Sequence, residues 1–182
     1  MNTVEPIRDS ALVNEIEAYL KKTNYRNYLM FMCGIYTGLR IGDILRLKIR
    51  DVKGKRYINI REEKTNKEKR HFEINPELIK VIKEYTTDRD PDDYLIKSRV
   101  GYNKPIDRST AYRILRDVGD IFEIDNIGTH TLRKTFGYHF YKQTKDIETL
   151  KEILNHSSSK VTFRYIGINQ ESINESIRKL KI

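Results

Sequence analysis

The chain has no tryptophan, one cysteine and four prolines in 182 residues. A single thiol, Cys33, cannot form an internal disulfide, so no cystine framework is available and a reducing cytosol suits it. No apolar run is long enough to cross a bilayer. The longest charge-free stretch lies between Arg26 and Arg40, well short of the roughly 20 residues a spanning helix needs, and reads as a core helix. The first turn-lengths mix charged and apolar positions, with no signal-peptide pattern. Acidic residues are in deficit, 26 against 35 Lys+Arg. These absences leave a soluble, cytoplasmic domain. At this length a domain buries about 70% of its extended-chain surface and needs neither disulfide nor metal to hold it together. The net charge of +9 calls for an anionic partner.

That charge is concentrated. Residues 46–70 hold eleven basic side chains (Arg46, Lys48, Arg50, Lys53, Lys55, Arg56, Arg61, Lys64, Lys67, Lys69, Arg70) and four acids, a net +7, while the other 157 residues sum to +2. So lopsided a surface suits a phosphate backbone, although a solvated basic face would look the same.

Periodicity and caps predict a mainly helical chain with one small antiparallel sheet. Asp9 or Ser10 caps a first helix with Leu12, Val13, Ile16, Tyr19 and Leu20 on one face. Asn24 caps a second helix, 25–37, which Gly38 ends, and a short third, 41–47, follows. The stretches 56–60 and 70–74 alternate apolar and polar residues around a turn at Thr65-Asn66, which predicts a hairpin, with a third strand at 47–52. Pro76 opens a helix to about Thr87. Further helices are expected at 107–121, 129–143, 146–154, 160–166 and 172–180.

Four short motifs carry chemistry. In Thr37-Gly38-Leu39-Arg40-Ile41-Gly42-Asp43, an Arg between two helices can turn its guanidinium into a cleft, with Asp43 holding the fork. His130-Thr131-Leu132-Arg133 sets imidazole and guanidinium on one face of a helix near its N-terminus, with Thr129 as cap. In Leu154-Asn155-His156-Ser157-Ser158, Asn155 takes the left-handed turn and presents His156. Thr162-Phe163-Arg164-Tyr165 offers a phenol, which at an ordinary pKa near 10 is almost wholly protonated at neutral pH. Alone, each also fits a plain structural role: a surface ion pair, a helix-terminal His, a packed Tyr.

In this order and spacing the set resembles the catalytic domain of the tyrosine recombinases, the phage integrase family, over essentially the whole chain. The resemblance implies an α+β fold, mainly helical with a small three-stranded sheet, that carries out site-specific recombination (integration, excision or inversion). A tyrosine cleaves the DNA strand, forming a 3′-phosphotyrosine and releasing a 5′-hydroxyl. The bond energy stays in the covalent intermediate, so neither cofactor nor metal is implied. By the same resemblance Tyr165 is the nucleophile, Arg40 and Arg133 grip the non-bridging oxygens, and His156 donates to them. His130 moves the tyrosine proton, Asp43 supports, and a hairpin lysine protonates the leaving oxygen. Lys64 aligns best with that lysine, with Lys67 and Lys69 close by. Arg46, Lys48, Arg61, Lys67, Lys69, Arg70 and Lys134 are expected on DNA.

The expected partners are a double-stranded recombination site, a homo-tetramer on DNA (monomer or weak oligomer when free) and accessory DNA-bending proteins. Departures from the family pattern are Asn155 for Gly, Thr131 for Asp and Asp43 for Glu. Residues 1–182 read as one catalytic domain without the helical core-binding domain that usually precedes it, either an excised domain or a short member of the family. In the family a terminal helix such as 172–180 packs on a neighbour; packing on its own domain fits as well. Three rivals compete: a type IB topoisomerase, a metal nuclease built on Asp90, Asp92, Asp93 or Asp107, and an inactive binding module. The acidic cluster surrounds a proline, where carboxylates form turns.

Overall fold

Side-chain caps decide where most helices begin. In the computed structural model, which describes residues 4–60, 70–168 and 177–180, Asp9 accepts from the Ala11 amide and starts α1 (Ser10–Thr23). Asn24 does the same for α2 (Tyr25–Thr37), Asn75 for α5 (Pro76–Thr86), Asp107 for α6 (Arg108–Ile121) and Asp146 for α8 (Ile147–Ile153). Ser158 caps α9 (Ser159–Tyr165). The remaining helices are α3 (Ile41–Arg46), α4 (Ile49–Val52) and α7 (Thr129–Thr144).

Strands β1 (Tyr57–Ile60) and β2 (Arg70–Glu73) pair antiparallel, Tyr57 opposite Glu73 and Ile60 opposite Arg70. The predicted third strand is not there. Asp51 accepts from the Lys48 amide at 2.8 Å and folds 49–52 into α4, leaving one isolated bridge between Lys48 and Tyr94. The sheet of the described residues is two-stranded. The predicted cap of α7 also shifts by one residue: Gly128 stands at the N-cap, and its amide is met by the Thr131 hydroxyl at 3.1 Å. The expected helix at 172–180 lies largely outside the described residues.

The core sits around α2, which buries Tyr28, Leu29, Met30, Phe31, Met32 and Cys33 against α1, α5 and α7. A second, small cluster of Leu150, Leu154 and Ile166 packs with Phe136, Phe140 and Tyr141 and fastens α8 and α9 to α7. This second cluster fixes the height and direction of the chain end that carries His156 and Tyr165. The carboxylates of the Pro91 turn are occupied structurally: Asp90 accepts from the Asp92 amide, Asp92 pairs with Arg50, and Asp93 with Lys97.

Candidate active site

The first wall of the site is the break between α2 and α3. Gly38 ends α2 at φ 63°, and a Cβ at this position would strike the Phe136 ring, so glycine is required for both backbone and space. Arg40 is extended (φ −68°, ψ 145°) and stands just ahead of α3, half-buried. It lines a cleft of about 400 Å³ with Asp43, Arg108, Thr129, His130 and Arg133.

Arg133 projects from α7 and is only 4% exposed. One terminal nitrogen donates to the carbonyl of Gly38 and the other to that of Leu154, at 2.6 Å. Both carbonyls end helices, so both lack intrahelical donors. A single planar guanidinium thus ties the Arg40 turn to the His156 turn, and two of its five N–H donors are used in doing so.

The third wall is the end of α8. Asn155 sits at φ 49°, as the sequence predicts. Its amide donates to the Glu152 carbonyl and the His156 amide to the Lys151 carbonyl, both at 3.0 Å, the two crossed bonds of a Schellman turn. Asn155→Ala should lower stability by about 1–2 kcal/mol, the left-handed penalty for a Cβ without a compensating side chain, while Asn155→Gly should be close to neutral. Thermal melting of the two variants checks this.

Tyr165 ends α9 and brings the walls together. Its hydroxyl lies 3.3 Å from His130 Nδ1, and its ring centroid lies 4.9 Å from that of His156. Burial raises the phenol pKa; the nearby Arg133 and Arg40 oppose this by favouring phenolate. His156 Nδ1 lies 3.2 Å from the Thr162 hydroxyl. That hydroxyl already donates to the Ser158 carbonyl at 3.1 Å, so it accepts from Nδ1–H and leaves Nε2 as the acceptor nitrogen of the neutral ring.

Burial first, then Arg133 and Arg40, push the His156 pKa down to about 4. The folded value lies below the unfolded one, so between them the unfolded chain binds more protons. Stability is therefore fully present above about pH 6.5 and is lost as pH falls toward about 4. His156→Gln should lose less melting temperature across that window than the parent chain, by a few degrees. Melting curves at several pH values measure it.

The structure thus gathers Arg40, His130, Arg133, His156 and Tyr165 at one cleft, over 126 positions of sequence. Asp43 lies beside it, 3% exposed, and takes the guanidinium of Arg46 at 2.5 Å. Lys48 stands over the Tyr94 ring. Arg61, Lys64, Lys67 and Lys69 lie outside the described residues, and of Arg70 only the strand backbone is described. Lys134 does not fit the expected DNA-facing surface: it is 6% exposed and donates to the Val4 carbonyl at 2.7 Å. His139 is structural, bonded to the Ile7 carbonyl at 2.9 Å. Sequence reading missed Arg108, which lines the cleft from the first turn of α6. The only available signal was its place directly after the Asp107 cap.

Two buried or half-buried guanidiniums, two imidazoles and a phenol come together around one cleft. The model of the phage integrase family matches residues 9–172. A probable integrase/recombinase of Bacillus subtilis, YoeC, is 49% identical over 172 residues, covering 94% of each chain. The crystal structure of XerA recombinase superposes with a TM-score of 0.78 at 26% identity, covering 99% of this chain and 65% of that one. XerH bound to its difH substrate shares the fold, with a TM-score of 0.72 at 17% identity over 98% of this chain and 54% of that one. This chain belongs to the phage integrase family and, with it, to the tyrosine-type site-specific recombinases. It spans 61% and 60% of the length of two further curated relatives, both tyrosine recombinases. No described helix is long and apolar enough to cross a membrane.

Proposed function

We propose that residues 1–182 act as one catalytic domain that cleaves and rejoins double-stranded DNA at a recombination site, with Tyr165 as nucleophile. The observation that carries this reading is the Tyr165 hydroxyl held 3.3 Å from His130, beside Arg40, Arg133 and His156. The phenol oxygen attacks phosphorus, the P–O5′ bond breaks, and a 3′-phosphotyrosine and a 5′-hydroxyl result. A second strand's 5′-hydroxyl reverses the step, so no external energy source enters. His130 accepts the phenol proton and returns it in the reverse direction. Arg40 and Arg133 hold the non-bridging oxygens as charge develops there. His156 donates to the same oxygens once Nε2 is protonated, so phosphate binding takes up a proton at this ring. Lys64 protonates the leaving 5′-oxygen. Asp43 supports by fixing Arg46 at the rim, and Lys48, Arg61, Lys67, Lys69 and Arg70 meet the backbone.

On DNA the active unit is a homo-tetramer, formed from monomers or weak oligomers, with accessory bending proteins, acting in the cytoplasm. The similarity to chains named integrase and recombinase does not favour topoisomerase-like relaxation or an inactive module. The test is a nicked suicide duplex carrying the end of the host mobile element, followed by denaturing electrophoresis. A protein–DNA adduct that survives denaturant and excess chelator supports the reading; adduct formation that requires a divalent metal overturns it.

A further inference from the structure

Lys134 is a buried charge that the steps above do not use. Its ammonium donates to the Val4 carbonyl at 2.7 Å and stands 5.4 Å from the centre of the Tyr165 ring. Among the described residues no carboxylate bonds to it. Burying an ammonium on one carbonyl and one aromatic face costs stability that a methionine would not. The charge is therefore expected to act on what it touches.

The segment that holds Lys134 also reaches the chain just after Tyr165. Residues 4–8 lie along α7: the Ile7 amide donates to Thr135 Oγ1 at 2.9 Å, and His139 meets the Ile7 carbonyl. Arg8, paired with Glu5 at 2.8 Å, donates to the Gly167 carbonyl, two residues past Tyr165, at 3.4 Å. Gly167 adopts φ +73°, and a Cβ there would lie 2.6 Å from Arg8 Nη2. Glycine takes this left-handed backbone without strain. The N-terminal segment thus reaches Tyr165 by two routes, through Lys134 at its ring and through Gly167 two residues on.

We propose that Lys134 is a positioning residue for Tyr165, anchored on the Val4 carbonyl, so that the segment at residues 4–8 sets the placement of the nucleophile's ring. The inference rests on Tyr165 being the nucleophile. Lys134 faces Glu5 and Arg8 from the N-terminal segment and Tyr165 from α9; Tyr165 in turn faces Arg40, Arg133, His130 and His156. A cation against the ring favours phenolate, and burial alone works the other way.

The test has one readout in the free protein and one on DNA. With tyrosine labelled at the phenol carbon, the Tyr165 NMR signal is assigned by its loss in Tyr165→Phe. In Lys134→Met that signal should move, and the phenol should titrate at higher pH than in the parent chain. An unchanged position and titration would falsify the proposal, whether or not DNA is cleaved. On saturating nicked duplex, Lys134→Met should form adduct about tenfold more slowly, the scale of a desolvated cation–π contact, with DNA affinity within about twofold. Lys134→Arg should recover most of the rate.

A chain starting at Pro6, which lacks the Val4 carbonyl, should match Lys134→Met, and combining the two changes should be no worse than either. Independent, multiplying losses would show that the segment does not act through Lys134. Loss of DNA affinity with normal cleavage of bound DNA would make Lys134 a backbone contact instead. If the parent chain forms no adduct, the cleavage reading fails, while the NMR arm still decides the positioning.

Discussion

Tyr165→Phe should bind recombination-site DNA with the affinity of the parent chain and yield no covalent adduct. The change removes one oxygen and keeps the ring that packs against His156 and beneath Lys134. The hydroxyl meets His130 at 3.3 Å, on an exposed imidazole that water can satisfy, and also the buried Arg133 side chain. Stability should therefore fall by about 1–3 kcal/mol, the net worth of hydrogen bonds that include one to a charged group. Chemistry should be lost altogether, because no other group at the cleft can form the phosphotyrosine. Removing the nucleophile of a concerted catalytic set has cost on the order of 10⁶-fold in rate, far below detection in a gel assay. A denaturant-resistant adduct from Tyr165→Phe would move the nucleophile to another residue. Weak DNA binding by this variant would mean that the phenol serves ground-state binding.

The sequence made this residue visible only as part of a set. Its helix, its cap Ser158 and the left-handed Asn155 are local features, and local physics predicts them: a hydroxyl accepting from an amide, an asparagine tolerating positive φ. The same holds for Asp9, Asn24, Asn75, Asp107 and Asp146 at the other helix starts. One misreading arose where two local solutions have the same spacing. Residues 47–52 alternate like a strand, but the Asp51 carboxylate can close a turn on the Lys48 amide, and it does. Asp43 also takes the guanidinium of Arg46, one turn further along α3.

Long-range cover was not legible at all. Lys134 follows Arg133 directly, and nothing in a helical pattern reveals that a segment 130 residues earlier lies over one and not the other. Lys64, Lys67 and Lys69 lie outside the described residues.

Arg133→Lys should fail twice, in stability and in catalysis, and Arg40→Lys only once. Arg133 bridges the Gly38 and Leu154 carbonyls with two nitrogens of one plane. A lysine ammonium is a single point at the end of a flexible stem and cannot meet carbonyls on opposite walls of the cleft. At least one buried acceptor is left unpaired, at a cost of about 1–3 kcal/mol. For a domain of this size each kcal/mol lowers the melting temperature by about 2–4 °C. The same change removes a preorganised donor from the phosphate, worth about 2.7–4 kcal/mol in transition-state stabilisation, so adduct formation should fall by roughly a hundredfold or more. Arg40 lines the cleft from a half-buried turn, so Arg40→Lys should lose cleavage to a similar degree with little change in melting. DNA affinity should be largely kept in both, because affinity draws on many backbone contacts along the basic face. Melting curves beside single-turnover adduct formation separate the two effects. Near-normal turnover by Arg133→Lys would leave Arg133 a strut alone, and parent-like melting would remove the strut.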